Sequence, residues 1–219
     1  MQFIILSQNF YNNHFLMKNN ELIKILENEG IPYAVIYGEY DDASYKLENN
    51  LFVPDIDIVL QTKSRKIISI LKSKKNFNYL GNNSFIYNVT NTRIDLYFNY
   101  LNVGYYSFLK VDKLSFASKE ISKAEYIVYQ ILDPLLKFLE YHPRHQFRLR
   151  KYFSQPIPKE VKTKLDYAIG RQLSNALLCK IKDNNFTLSK LFIKRCKLQL
   201  LFINGNFVKM LKVRIFNNV

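Results

Sequence analysis

A short apolar segment with two carboxylates constrains this chain more than any other part. Residues 54–60 read PDIDIVL, and this alternation of polar and apolar residues is typical of a β-strand. Strand side chains alternate between two faces, so Asp55 and Asp57 share one face while Ile56 and Ile58 point into a core. Neighbouring carboxylates repel each other and are costly to bury, which favours a cation between them. Mg²⁺ suits such ligands, because it binds one or two carboxylates and completes its shell with water and substrate phosphate.

A second alternating strand repeats the pattern at residues 92–98, which read TRIDLYF. Arg93, Asp95 and Tyr97 share one face of it, and the apolar residues share the other. If the two strands are neighbours, Asp95 joins the Asp55 and Asp57 carboxylates. Three carboxylates beside an arginine are typical of a site for a metal ion and a phosphate.

The elements around these strands form a recognisable order. Residues 31–40, IPYAVIYGEY, predict a strand that ends at a turn containing Gly38. A helix ending near Glu29 precedes it, and an amphipathic helix over residues 63–75 follows the strand of residues 54–60. Residues 77–89 predict a strand pair around a Gly81-Asn82-Asn83 turn. Tyr87 and Tyr97 either line the carboxylate face or take part in cross-strand aromatic packing.

This order resembles the nucleotidyltransferase superfamily, which includes DNA polymerase beta and the aminoglycoside nucleotidyltransferases. The resemblance covers about residues 18–100 and extends to nucleotidyltransferase-like proteins of bacterial surface-polysaccharide gene clusters, some of them fused to a thymidylate-kinase-like domain. It implies that Asp55, Asp57 and Asp95 are catalytic residues that hold two Mg²⁺ ions. It also implies that Gly38 lies in the turn that binds the triphosphate and that a basic helical half follows.

One residue departs from the pattern of the better-known transferases. Glu39 follows Gly38 where those enzymes carry Ser or Gly, and a carboxylate at this turn repels a triphosphate. Two functions therefore stay open. One is transfer of a nucleotidyl group from a nucleoside triphosphate to a hydroxyl acceptor, such as a sugar or glycolipid in surface-polysaccharide biosynthesis. The other is an inactive binding or scaffold module for a kinase or glycosyltransferase.

The positive charge is concentrated in the second half of the chain. The net charge is +14; residues 110–219 hold 22 Lys and Arg against 8 Asp and Glu, and residues 1–109 hold 10 of each kind. An anionic partner explains this asymmetry, whether a nucleotide, a phospholipid surface, an acidic glycan or, with no recognised motif to support it, a nucleic acid. A compositional bias toward Lys, Asn and Ile explains it equally well.

Three arginines are the candidate phosphate ligands of this basic half. Residues 142–151, HPRHQFRLRK, are the densest basic cluster, and Arg144, Arg148 and Arg150 offer guanidinium groups that fit phosphate with two hydrogen bonds. The alternative is a solvated basic face of a helix.

The sequence as a whole predicts an α+β fold in two domains. Residues 1–109 form a mixed β-sheet with flanking helices, and residues 110–219 form a basic helical bundle. Its first helix is predicted to begin at a Ser122 or Ser118 cap and to run to about residue 141. Two more helices are predicted over residues 159–182 and 187–203, with ordinary core packing. The apolar and basic residues 207–216 either lie on an anionic membrane surface or pack on the protein itself or on a partner. Free cysteines and the lack of a signal peptide or spanning segment predict a cytoplasmic protein. The first alternative for residues 207–216 would add peripheral membrane contact.

Overall fold

The structure, a computed structural model, describes residues 21–36, 55–62 and 65–217, apart from the side chains of residue 55 and residues 215–217. Gly38, Glu39 and the predicted loop of residues 41–53 lie outside this part of the chain. Two compact units divide the described residues. The first comprises residues up to Asn99 together with Lys113–Glu120, and the second comprises Tyr100–Asp112 and the residues from Ile121 onward.

The first unit contains five described strands and three described helices. The strands are β1 (Tyr33–Ile36), β2 (Asp55–Leu60), β3 (Phe77–Gly81), β4 (Ser84–Tyr87) and β5 (Thr92–Phe98), and the helices are α1 (Glu21–Asn28), α2 (Lys66–Lys72) and α3 (Lys113–Ser118).

The strands of this unit form a mixed sheet in the order β1-β2-β5-β4-β3. β2 and β5 are parallel, and the β1–β2, β4–β5 and β3–β4 pairs are antiparallel. Asn82 and Asn83 connect β3 to β4 with φ angles of 49° and 65°, which is the left-handed backbone of a tight hairpin turn. The predicted α+β class and the predicted strand pair are thus confirmed.

One face of the sheet packs on α1 and α2. Fully buried side chains of this core include Leu22, Leu26, Ile58, Ile67 and Phe85, and burial of such apolar surface is the main favourable contribution to folding. Tyr87 belongs to this core too, since it is buried and its ring centroid lies 5.0 Å from that of Phe77. It packs as a core aromatic side chain and does not line the carboxylate face.

The second unit contains a β-hairpin and six described helices. The strands are β6 (Tyr100–Val103) and β7 (Tyr106–Lys110), and the helices are α4 (Lys123–Lys137), α5 (Pro143–Phe153), α6 (Lys159–Ile169), α7 (Arg171–Lys182), α8 (Lys190–Leu201) and α9 (Asn206–Asn217). This hairpin was not predicted from the sequence.

Helix boundaries in the second unit follow local chemistry. Ser122, one of the two caps that the sequence left open, caps α4 through a reciprocal pair of hydrogen bonds with Glu125. The single helix predicted over residues 159–182 is wrong, because Gly170 breaks it with φ 82° and ψ 149°. Such a backbone is open to glycine and strained for other residues. None of the helices in the described part of the chain has the length and apolar character that crossing a membrane requires.

Candidate functional site

Two of the predicted carboxylates lie side by side on the sheet of the first unit. β2 and β5 pair in parallel with Asp57 opposite Asp95 and position 55 opposite Arg93. Neighbouring strands are about 4.8 Å apart, and residues in register point to the same face of a sheet. The register therefore brings Asp57, Asp95 and Arg93 together on one face.

Asp95 is held by its own strand and by the next one. Arg93 Nε and Nη2 each donate to Asp95 Oδ1 at 3.2 Å, and Nη2 also lies 3.1 Å from Oδ2. Ser84, opposite Asp95 on β4, donates its hydroxyl to the same Oδ1 atom. The Arg93 side chain is 46% exposed and that of Asp95 only 17%. The ion pair thus joins a half-exposed cation to a carboxylate that is mostly buried in the sheet.

Asp57 is contacted from the neighbouring strand. The Tyr97 hydroxyl donates to Asp57 Oδ1 at 3.4 Å, and both residues are half-buried. Tyr97 lies two positions after Asp95 on β5, so strand alternation places it on the carboxylate face. Of the two uses that the sequence left open for this tyrosine, the structure favours a place beside the carboxylates.

Ser84 is a residue of this face that the sequence analysis missed. It is buried directly after the hairpin turn, opposite Asp95. A signal was present, because a two-residue turn at Asn82-Asn83 determines the register of β3 and β4. The missing step was the pairing of β4 with β5, which no local pattern contains.

The three candidate arginines belong to α5 in the second unit and have three different environments. Arg148 is buried and donates to Gln130 Oε1 at 2.8 Å. Arg144 is exposed and its Nε contacts His145 Nε2 at 3.3 Å. Arg150 is exposed and lies over the ring of Phe186 at 5.4 Å. The helix thus does not present them as one cluster, and their predicted role as phosphate ligands stays a prediction.

The described carboxylates suit a magnesium ion whose coordination shell is completed by water and substrate. Mg²⁺ in phosphate-transferring sites needs one or two protein carboxylates and keeps water or phosphate in its other positions, and Asp57 with Asp95 meets that requirement. No group of three or more His, Cys, Asp or Glu that could hold a metal ion occurs among the described side chains, which do not include that of Asp55. Gly38 and Glu39 also lie outside the described residues.

A concave surface of the first unit, away from the carboxylate face, carries a charge pair. This pocket of about 270 Å³ is lined by residues that include Glu27 of α1, Tyr33 of β1 and Lys119, which directly follows α3. Lys119 Nζ lies 2.8 Å from Glu27 Oε1, and this contact lowers the pKa of Glu27 and raises the pKa of Lys119. Both groups are thereby held in their charged forms near neutral pH, so neither is suited to exchange protons with a substrate.

Comparisons with known proteins identify no relative of this chain. No family model, no curated protein and no solved structure matches the chain. Any function must therefore be argued from the residues and their geometry.

Proposed function

We propose that the chain is a nucleotidyltransferase-fold protein that binds a nucleoside triphosphate with Mg²⁺ and transfers its nucleotidyl group to a hydroxyl acceptor. The observation that carries this proposal is the register of Asp57 with Asp95 on two parallel strands, with Arg93 on the same face. The order of elements quoted above adds the resemblance to the superfamily. The strand order β1-β2-β5 supports it by joining the three segments that the resemblance uses.

The proposed roles divide between the carboxylates and the arginine. Asp57 and Asp95, with Asp55 by resemblance, would hold the two Mg²⁺ ions. These carboxylates would hold ions that, when bound, would supply charge neutralisation for the phosphates and the leaving pyrophosphate. The Ser84 hydroxyl and the sheet keep the Asp95 carboxylate oriented, which leaves it ready to accept the proton of an acceptor hydroxyl.

Arg93 is the residue that would change partner when the triphosphate binds. The Arg93 side chain of this ion pair is 46% exposed, and ion pairs open to solvent contribute at most about 1 kcal/mol. A phosphate group offers the same guanidinium two charge-assisted hydrogen bonds. Exchange of the carboxylate for a phosphate therefore costs little and would release Asp95 oxygens for the metal. By resemblance, the acceptor is a sugar or glycolipid of surface-polysaccharide assembly, in the cytoplasm.

Ligand-dependent thermal stability tests the proposal. We would measure the unfolding midpoint with each ribonucleoside and deoxyribonucleoside triphosphate, with and without Mg²⁺, because a ligand of the native state raises the midpoint. We expect a shift that requires Mg²⁺ and is lost in Asp57→Asn and in Asp95→Asn. Asp183→Asn, which removes one charge from an exposed residue of the second unit, is the matched control and should keep the shift. A shift that survives both site variants would contradict the proposed role of the carboxylates.

The alternative is an inactive scaffold of the same fold, for a kinase or glycosyltransferase partner. Two observations favour it: the carboxylate of Glu39 beside Gly38, and the pairing of Arg93 and Asp95 with each other. The scaffold predicts no shift with any triphosphate, in the wild type as in the variants. Release of pyrophosphate from the triphosphate that binds, in the presence of candidate acceptors, would exclude it.

A further inference from the structure

The outward side of α8 is apolar. Leu191, Leu198 and Phe202 are 60%, 54% and 77% exposed, and their spacing of seven and four residues places them on one face of the helix. The opposite face buries Ile193, Cys196 and Leu200 in the core of the second unit. α8 is therefore apolar on two sides, whereas the sequence analysis took its apolar residues as ordinary core. That expectation is wrong for the three exposed residues.

The next helix, α9, repeats the arrangement. Its Asn206 is fully buried and clamps Ser107 of β7, accepting from the Ser107 N–H at 2.9 Å and donating to the Ser107 carbonyl at 3.0 Å. Lys209 donates to Ser107 Oγ at 2.6 Å. These bonds hold one side of α9 against the unit. Phe207, Val208 and Leu211 are exposed all the same, so their exposure belongs to a helix that is attached.

Basic residues accompany the exposed apolar ones on both helices. Lys190, Lys194 and Arg195 of α8 and Lys212 and Arg214 of α9 are all exposed. The chain contains no Asp or Glu after Asp183. We call these exposed residues of the two helices the outer face of α8 and α9. It comprises Lys190, Leu191, Lys194, Arg195, Leu198, Phe202, Phe207, Val208, Leu211, Lys212 and Arg214. This face combines apolar surface with cations and has no compensating carboxylate of its own.

We propose that the outer face of α8 and α9 docks on an anionic lipid bilayer surface. Large exposed apolar side chains on helices flanked by Lys and Arg are the combination that lies in a membrane interface, where the apolar groups enter the headgroup region and the cations meet anionic lipids. Charge complementarity selects this occupant, because a second copy of the chain would bring the same positive charge against it. The surface is distinct from the carboxylate face, and the inference does not depend on the proposed function.

Vesicle sedimentation tests the docking surface with the full chain. The probes are vesicles of phosphatidylcholine alone and of phosphatidylcholine with phosphatidylglycerol. We expect binding only to the second kind and weaker binding when salt is raised from about 0.1 M to about 0.5 M. The double variant Leu198→Ser/Phe202→Ser should lower partitioning by about tenfold or more, and Lys194→Gln/Arg195→Gln should lower it by a similar factor.

Matched controls change the same residue types elsewhere. Leu114→Ser/Val89→Ser removes two exposed apolar side chains of the first unit, and Lys24→Gln/Lys75→Gln removes two exposed cations there. Both controls should bind vesicles like the wild type. All the substituted side chains are exposed, so unchanged unfolding midpoints should establish that every variant folds.

Three results would overturn the proposal. One is absence of binding to the anionic vesicles. A second is loss of binding in the charge variant alone, which would identify a general polyanion surface without apolar insertion. A third is a concentration-dependent dimer in sedimentation velocity that Leu198→Ser/Phe202→Ser disrupts, without vesicle binding, which would assign this face to a second copy of the chain.

Discussion

Charged side chains meet on one face in the first unit of this protein, whereas in the second unit they are separated. In the first unit Asp57, Asp95 and Arg93 come from two strands and meet on one face of the sheet. In the second unit Arg144, Arg148 and Arg150 come from one helix and have three separate environments. In the sequence the arginines are the closer group, because they lie within residues 144–150, whereas Asp57 is far from Arg93 and Asp95.

The difference comes from the period of each element. A strand returns a side chain to the same face every two residues, and pairing in register extends that face to the next strand. A helix turns by about 100° per residue, so Arg150 lies on the opposite side of α5 from Arg148. Arg144, one turn before Arg148, shares its side of the helix but is exposed where Arg148 is buried. Local charge density thus predicts a shared face in a strand and does not do so in a helix.

The largest effect on stability is expected at Arg148. Arg148→Met keeps an apolar stem but removes the donor to the buried Gln130 side chain, so the free energy of unfolding should fall by about 2–3 kcal/mol. Urea denaturation measures it.

The controls for this substitution are its neighbours. Arg144→Met and Arg150→Met change exposed side chains and should cost less than about 1 kcal/mol. Two results together would contradict this difference between the units: Arg148→Met leaves stability unchanged, and all three variants weaken triphosphate binding. The arginines would then act as one phosphate site.

Gly170 tests whether the break between α6 and α7 depends on backbone conformation. Gly170→Ala places a β-carbon on a backbone with φ 82° and ψ 149°, which strains any residue except glycine by about 2 kcal/mol. A β-carbon there would lie 3.9 Å from Gln199 Cδ, so the cost comes from the backbone and not from a clash. Gly30→Ala, at φ 62°, is the control and should cost about 1 kcal/mol. Equal losses in thermal denaturation would argue against a special role for Gly170.

Substitution of Arg93 tests whether the charged face of the sheet is a triphosphate-binding site. Arg93→Gln removes the proposed phosphate ligand and should lower triphosphate affinity by about tenfold or more, since hydrogen bonds to charged groups contribute about 1.5–3 kcal/mol. Titration calorimetry with Mg²⁺ present would measure the affinity. Stability should change by about 1 kcal/mol, because the Arg93 side chain is 46% exposed and the Asp95 carboxylate keeps its hydrogen bond from Ser84. A large loss of stability with unaltered affinity would make Arg93 a structural partner of Asp95.

The two cysteines of the second unit, like its arginines, have different environments. The effect expected from them is the smallest of this series. Cys179 is exposed and Cys196 is buried, and burial raises the pKa of the Cys196 thiol from 9.0 to about 12. A thiol reagent should therefore modify Cys179 rapidly in the folded protein and Cys196 only after unfolding. Equal rates would contradict the buried position of Cys196.

The same burial makes part of the stability depend on pH. The unfolded chain loses the Cys196 proton above pH 9.0, and the folded chain keeps it up to about 12. The contribution of this thiol is thus fully present below pH 9 and is lost as the pH rises toward 12. Urea denaturation of the wild type and of Cys196→Ala at about pH 8 and about pH 10 isolates it, and parallel changes in both proteins would contradict the assignment.

Local periodicity predicted much of the first unit. The alternation in residues 54–60 and 92–98 indicated β2 and β5, and the Gly81-Asn82-Asn83 segment indicated the hairpin turn. Sequence patterns did not predict Ser84 beside Asp95, because that contact depends on the pairing of β4 with β5. They also left the place of Tyr87 open, since a half-apolar aromatic residue fits either face of a strand.

The sequence by itself determined which residues can form each element: the alternating strands, the Ser122 cap of α4 and the excess of cations after residue 109. Only the tertiary structure decided the register that joins Asp57 to Asp95, the burial of Arg148, the break at Gly170 and the exposure of Leu191, Leu198 and Phe202. The physical reason is the distance along the chain over which each interaction acts. Strand alternation and capping arise within a few residues, whereas register and burial depend on packing between segments distant in the chain.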